Sequence, residues 1–131
     1  MFGFISRLFR KETPEARIGR LGEAAAAKLL SKSMKIVARN FRSGRNEIDI
    51  IALDASCLVF VEVKTRAEGA LVNGYYSAMS KSKRAAVKKC ARDFMRNSRQ
   101  KHLSWRFDVV EAQHDASGKI TSLRHFENVH F

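Results

Sequence analysis

Four charged residues stand inside two otherwise apolar runs: Glu47 and Asp49 in EIDIIAL, and Glu62 and Lys64 in CLVFVEVK. Side chains alternate along an extended strand, so each pair points to a single face of its own run. If the runs pair antiparallel with Leu53 opposite Leu58, Asp49 meets Glu62 and Glu47 meets Lys64. Carboxylates opposed in this way repel unless a proton or a cation lies between them. Hard oxygen ligands favour Mg2+, with Mn2+ as substitute, over zinc, which prefers His and Cys. A loop of odd length would put Asp49 and Glu62 on opposite faces and dissolve the arrangement.

The elements that must position these groups follow from the same stretch outward. Residues 47–53 and 57–64 are apolar through the middle, as strands covered on both faces are, with Asp54, Ala55 and Ser56 as the turn of a central hairpin. Upstream, residues 14–31 read as a helix with Thr13 as N-cap, Pro14 in the first turn and the run Ala24 to Ala27 supplying propensity. Ile18, Leu21, Ala25 and Leu29 form its expected buried stripe, flanked by Gly19, Gly22, Glu23 and Ala26. Small residues there would let the helix approach the sheet and carry Glu23 towards the acids. From the residues alone, a solvated helix glutamate is the favoured reading of Glu23. Residues 34–41 make a strand, and the basic turn Arg42-Ser43-Gly44-Arg45 leads into the hairpin. Arg39, Arg42 and Arg45 are either phosphate contacts or exposed loop charges.

Downstream, Gly69, Asn73, Gly74, Tyr75 and Tyr76 mark a loop, with the tyrosines either stacking on a base or packed in the ordinary way. Residues 80–100 form a second helix, with Val87, Cys90, Ala91, Phe94 and Met95 on its apolar side. Its other positions hold Lys81, Lys83, Arg84, Lys88, Lys89, Arg92, Arg96 and Arg99 against the single acid Asp93. Strands at 105–112 and 120–126 close the sheet around a turn at 114–118. Asp108 is a further candidate metal acid, but pairing with Arg106 as a structural ion pair is the favoured reading. The order α-β-β-β-α-β-β predicts an α/β fold, a mixed β-sheet of about five strands flanked by helices.

Composition bounds the function. A net charge of +12 over 131 residues, with a pI of about 10.3, points to a polyanionic partner. No apolar run approaches the length of a membrane span, so no membrane is expected. Cys57 and Cys90 read as ordinary buried thiols of a reducing, cytoplasmic compartment. His102, His114, His125 and His130 show no metal-ligand spacing. Residues 1–13, with Phe2, Phe4, Ile5, Leu8 and Phe9 among basic residues, read as an N-terminal extension, flexible or amphipathic, ahead of one domain at 14–131. An exposed sheet edge leaves a homodimer open.

Asp49 followed by Glu62-Val63-Lys64 across a short apolar hairpin resembles the core of the PD-(D/E)XK nucleases. Gly19-x-x-Gly22-Glu23, Arg39-Asn40-Phe41-Arg42, Glu47-Ile48-Asp49, Phe60-Val61-Glu62-Val63-Lys64-Thr65-Arg66, Lys83, Arg106-Phe107-Asp108-Val109-Val110 and Glu127-Asn128-Val129 are together similar to the small bacterial YraN family of that superfamily. The resemblance runs from about residue 15 to the C-terminus. Asn46 stands where that family usually has Gly, and Asn is the next best residue for a left-handed turn.

The resemblance implies a restriction-endonuclease-like core and metal-dependent hydrolysis of DNA phosphodiesters, with branched or flapped DNA as candidate substrates. It makes Asp49, Glu62 and the backbone carbonyl of Val63 the expected Mg2+ ligands, with Glu23 as a helix-borne fourth. Lys64 becomes the residue that orients or deprotonates a water. Lys83 is the expected phosphate contact, and Arg84, Lys88, Arg42, Arg45 and Arg66 complete a nucleic-acid face, for DNA rather than RNA. Two alternatives stand beside it: a nucleic-acid binding module that keeps the fold with little or no cleavage, and a basic protein that docks on an acidic partner or on RNA.

Overall fold

The sheet begins where turn chemistry and apolar runs coincide. Asp54 pairs with Cys57 across the two-residue turn Ala55-Ser56, with Ala55 at φ 51°. An even loop follows, and Leu53 lies opposite Leu58 and Ile51 opposite Phe60. The condition on which the acidic cluster depended is therefore met. The computed structural model describes residues 11–70, 80–98 and 104–130. The tyrosine pair, residues 1–10 of the expected extension, and the last residues of the expected second helix lie outside them.

In chain order the elements are α1 (Pro14–Leu30), β1 (Lys35–Ser43), β2 (Asn46–Asp54), β3 (Cys57–Ala67), α2 (Lys81–Asn97), β4 (Ser104–His114) and β5 (Ile120–Phe126). The expected order and class hold. The five strands lie side by side in sequence order, antiparallel except for β3 and β4, which run parallel with α2 as the crossover. Thr13 caps α1 by accepting the N–H of Ala16 at 3.1 Å, with Pro14 in the first turn. Ser80 caps α2 by accepting the N–H of Lys83 at 3.1 Å.

The helices cover opposite faces of the sheet. Ala26 and Leu30 of α1 pack on Ile50, Ala52, Val59, Val61 and Val110. Val87, Cys90 and Ala91 of α2 pack on Ile48, Ile51, Leu58, Phe60 and Phe107. Full burial of side chains such as Phe60 or Ile51 contributes roughly 1.5–3 kcal/mol each, so the central hairpin anchors both layers. Cys90 is buried, whereas Cys57 is only half-buried, because it sits at the turn; neither is in a disulfide.

Two expectations need correction. The buried stripe of α1 is Gly22, Ala26 and Leu30, while Ile18, Leu21, Ala25 and Leu29 are half-buried. The reason is close approach: a β-carbon built on Gly22 would collide with the Thr65 hydroxyl, so at that contact a glycine, not a large apolar residue, faces the sheet. Nothing crowds Gly19 in this way. The second concerns Asn46, which opens β2 opposite Ser43 with ordinary backbone. The left-handed residue of that turn is Gly44, at φ 60°.

Candidate functional site

Regular pairing of β2 with β3 stops at Ile50 and Val61. Past that point β2 continues against β1 as far as Asn46, and β3 continues against β4 as far as Ala67. The two central strands therefore part, and the fork between them holds the acids. Asp49 reaches across it: its Oδ2 accepts the backbone N–H of Val63 at 2.7 Å, a bond the ladder would otherwise have supplied. Alternation breaks at the same place. Ile48 packs with Ile51 on the α2 side, whereas Ile50 packs on the α1 side; strict alternation would have put Ile48 with Ile50. Asn40, on the neighbouring strand between the partners of Ile48 and Ile50, takes a left-handed φ of 52°.

Glu23 arrives from α1, next to the Gly22 contact with Thr65, and its carboxyl lies near enough to that of Asp49 to feel its charge. Burial, then the charge of Asp49, pushes Glu23 up to about 7. Burial also raises Asp49, but the Val63 N–H favours its ionised form. Of the two, Asp49 is the better held in its ionised form. Glu62 is buried on β3 and is pushed up to about 7, first by burial and next by the charge of Asp49. Its Oε1 lies 3.6 Å from the Lys83 ammonium, while its Oε2 is buried with no hydrogen-bond partner among the described residues.

The expected residues divide as follows. Glu23, Asp49, Glu62 and Val63 come together in the fork. Lys83 joins them as the ion-pair partner of Glu62, with its side chain half-exposed. Glu47 does not meet Lys64. It pairs with Arg42 at 3.6 Å across the β1–β2 ladder, because β2 has by then left β3. Lys64 is exposed and borders a hollow of about 300 Å3 shared with Glu23, Gly19, Thr65 and His114. Among the described residues it makes no ion pair. Arg45 is exposed at the β1–β2 turn and shares a second hollow with Glu47 and Lys83. Arg84 and Lys88 line a third, on α2, away from the acids. Arg66 is half-buried further along β3.

Among the described residues, no three His, Cys, Asp or Glu side chains converge closely enough to form a closed metal cage. The donor set nevertheless fits a hard divalent cation. Mg2+ is bound through one or two carboxylates and retains several waters, and the fork offers all-oxygen donors with one of them, Glu62 Oε2, buried and unpartnered.

Asp108 belongs to a different site. Its fully buried carboxylate takes Arg106 at 3.0 and 3.3 Å, His125 at 2.8 Å and the Asn128 N–H at 2.9 Å. Burial alone would raise it, but the hydrogen bonds from His125, Arg106 and Asn128 prevail and hold it below the ordinary carboxylate range. Arg106 also reaches Asp54 at 3.2 Å, so the ion-pair reading of Asp108 holds. The partnership of His125 and Asn128 with Asp108 was not identifiable from the sequence, although Asn128 stands in the Glu127-Asn128-Val129 motif, because neither lies at a spacing that marks it as a partner. Trp105 was also missed as more than a strand residue: it is 49% exposed, the large apolar side chain left open among the described residues. One signal for it was available, the alternation that puts Trp105 on the same face as Phe107.

Comparison with known proteins agrees with the motifs. The model of a family described as "Uncharacterised protein family UPF0102" matches residues 22–112, which include Glu23, Asp49, Glu62, Lys64 and Asp108. A UPF0102 protein of Chlorobium limicola is 39% identical over 116 residues, covering 87% of this chain and 88% of the relative. One from Solibacter usitatus is 40% identical over 121 residues, 90% of each chain. One from Prosthecochloris aestuarii is 45% identical over 95 residues, 71% of this chain and 73% of the relative. With a match to more than half of its length and relatives covered to between 73% and 90% of their own length, this chain belongs to the UPF0102 family, the YraN family that its motifs resemble.

Proposed function

We propose that this protein is a metal-dependent endonuclease that hydrolyses DNA phosphodiesters at the β2–β3 fork, with branched or flapped DNA as candidate substrates. The observation that carries the reading is the crowding of Glu23, Asp49 and Glu62 around a fork with one buried carboxylate oxygen left unpartnered. Acids raised together by burial and mutual charge mark a site built for a cation, and functional sites are where such perturbation concentrates. The basic surface beside it suits a phosphate backbone.

Asp49, Glu62 and the Val63 carbonyl are the proposed ligands of Mg2+ or Mn2+, with Glu23 close enough to assist. When bound, the ion polarises a phosphoryl oxygen and stabilises the charge that develops on it. The protein's own groups do the rest. Val63 N–H fixes the Asp49 carboxylate, and Glu23, raised by burial and by the charge of Asp49, stands beside it. Lys83 screens Glu62 and offers an ammonium to a phosphate. Exposed Lys64, on the hollow bordered by Glu23, orients the attacking water.

Binding without cleavage is the second reading, favoured by the absence of a three-group cage among the described residues. One experiment separates the two. Purified protein is incubated with Mg2+ or Mn2+ and linear, single-stranded, flapped and four-way-junction DNA, beside Asp49→Asn. Metal-dependent cleavage lost in the variant supports the nuclease. Tight binding, equal in the variant and with no substrate cut, sinks it in favour of the binding module.

A further inference from the structure

We infer that Trp105 and Lys88 form a second subsite, at which a single-stranded nucleic-acid arm leaving the fork lays a base on the indole. The inference rests on the nucleic-acid reading above and adds to it a substrate feature, an unpaired strand. Trp105 and Phe107 point to the α2 face of β4. The helix covers Phe107, which packs with Val87 and Ala91. It leaves Trp105 half-open. Phe107 meets the indole in a T-shaped contact, with ring centroids 5.5 Å apart, which fixes the exposed ring. Trp105 borders a hollow of about 240 Å3 together with Lys88, Asn128 and His130. That is smaller than the roughly 300–1,000 Å3 of pockets that enclose small molecules, and it suits a base laid against a ring.

Charge links this hollow to the fork. Lys88 also borders the α2 hollow of Lys81 and Arg84, and Arg84 Nε is buried there without a hydrogen-bond partner among the described residues. Lys83, next in the chain, is the residue paired with Glu62. Cations therefore run from the acids along α2 to the indole. Along the sheet, Val109 is the register partner of Glu62, and Trp105 lies four residues before it, about 13 Å away at the usual rise per residue. A stacked strand spans that distance in about four nucleotides. An aromatic platform beside a cationic track is the general means of holding an unpaired strand, since every base has a π-face whereas duplex bases are already stacked.

The chain has one tryptophan, so its emission reports this subsite alone. Full-length Asp49→Asn protein in EDTA, where cleavage is absent, is titrated with a fluorescein-labelled 16-nucleotide oligothymidine and with a duplex of equal length. Label anisotropy and, for unlabelled strands, tryptophan emission are read together. The inference expects saturable quenching by the single strand, weaker quenching by the duplex, and about tenfold weaker single-strand binding in Trp105→Ala, with Trp105→Phe retaining most of it. Binding that leaves the emission unchanged, equal quenching by strand and duplex, or undiminished affinity in Trp105→Ala overturns the subsite while the nucleic-acid reading stands. Absence of any anisotropy change overturns both.

Discussion

Two of the buried carboxylate sites lie on adjacent strands of this sheet and have opposite electrostatics. At Asp108, on β4, every oxygen is engaged by Arg106, His125 or the Asn128 N–H, and the carboxyl is held below its ordinary range. At the fork, burial and like charge push Glu23 and Glu62 up to about 7, and Glu62 Oε2 has no partner. Burial is common to both. Partners are the difference. A buried charge that is fully hydrogen-bonded is a structural clamp, whereas one left incomplete calls for a ligand that brings the missing charge. The contrast separates Asp108, a structural clamp, from Asp49 and Glu62, the acids of the proposed metal site, although all three are acids in apolar strands.

The contrast is tested most severely by activity. Asp49→Asn and Glu62→Gln should each lower metal-dependent cleavage by about 100-fold or more, since each removes a charge that the proposed ion requires. Asp108→Asn should stay within about threefold of the unaltered protein in whatever fraction remains folded. Comparable losses at Asp108 and Asp49, measured on folded protein as judged by circular dichroism, would erase the distinction.

Stability should order the variants the other way. Asp108→Ala leaves Arg106 and His125 facing an empty position, and breaking a buried ion pair from one side costs about 3–5 kcal/mol. For a domain of this size the melting temperature should fall by about 10–20 °C. Asp49→Asn relieves repulsion and should melt at or above the parent temperature without metal. A thermal melt of both proteins in EDTA decides it, and the comparison fails if Asp49→Asn is the less stable.

How much of this could be read in the sequence depended on the range of the interaction. Strand positions and the even turn were legible because apolar runs and turn residues are local signals, and Leu53 opposite Leu58 followed from them. The fork was not. It exists because the Asp49 side chain takes the Val63 N–H in place of a backbone partner, and no pattern of residue types announces that exchange. Pairing of Glu47 with Lys64 failed for the same reason, since it assumed that the ladder continued. The α1 stripe was misjudged because hydrophobicity pointed to Ile18 and Leu21, while the sheet contact is set by how near Gly22 can come to Thr65. Asp108 was half-legible: Arg106 is two residues away, but His125 and Asn128 are 17 and 20 residues away.

That close approach gives a way to tune the fork without touching its acids. Gly22→Ala puts a methyl group into the Thr65 hydroxyl, and overpacking of this kind costs about 1–3 kcal/mol. The helix must shift, moving Glu23 away from Asp49. The double variant Gly22→Ala/Thr65→Ala should recover much of the lost stability, and Gly19→Ala, with open space around it, should be neutral or stabilising. A melt in which Gly19→Ala and Gly22→Ala are equally destabilising would show that helix propensity, not sheet contact, governs this face.

The smallest effect concerns pH and distinguishes the two sites by sign. At the fork, folded Glu23 and Glu62 hold protons up to about pH 7, above the ordinary 4.5. Between those values the native state binds more protons than the unfolded chain, so stability falls as pH rises through that window and levels off above it. At Asp108 the folded carboxyl is depressed; its contribution is complete above the ordinary pKa of 3.8 and is lost only as pH falls through the lower folded value. Raising the pH from 5 to 8 in EDTA should therefore leave the Asp108 contribution unchanged and weaken the fork. Glu23 is half-exposed and screened by solvent, so the net loss is on the order of 1 kcal/mol, a few degrees in melting temperature. Glu62→Gln should flatten the profile. Mg2+ at pH 8 should restore the lost degrees in the parent, since an ion that binds only the folded state stabilises it by mass action, and should do so far less in Asp49→Asn. A parent protein that melts higher at pH 8 than at pH 5 without metal would mean that the fork acids are already neutralised by the protein's own cations, with Lys83 the first to examine.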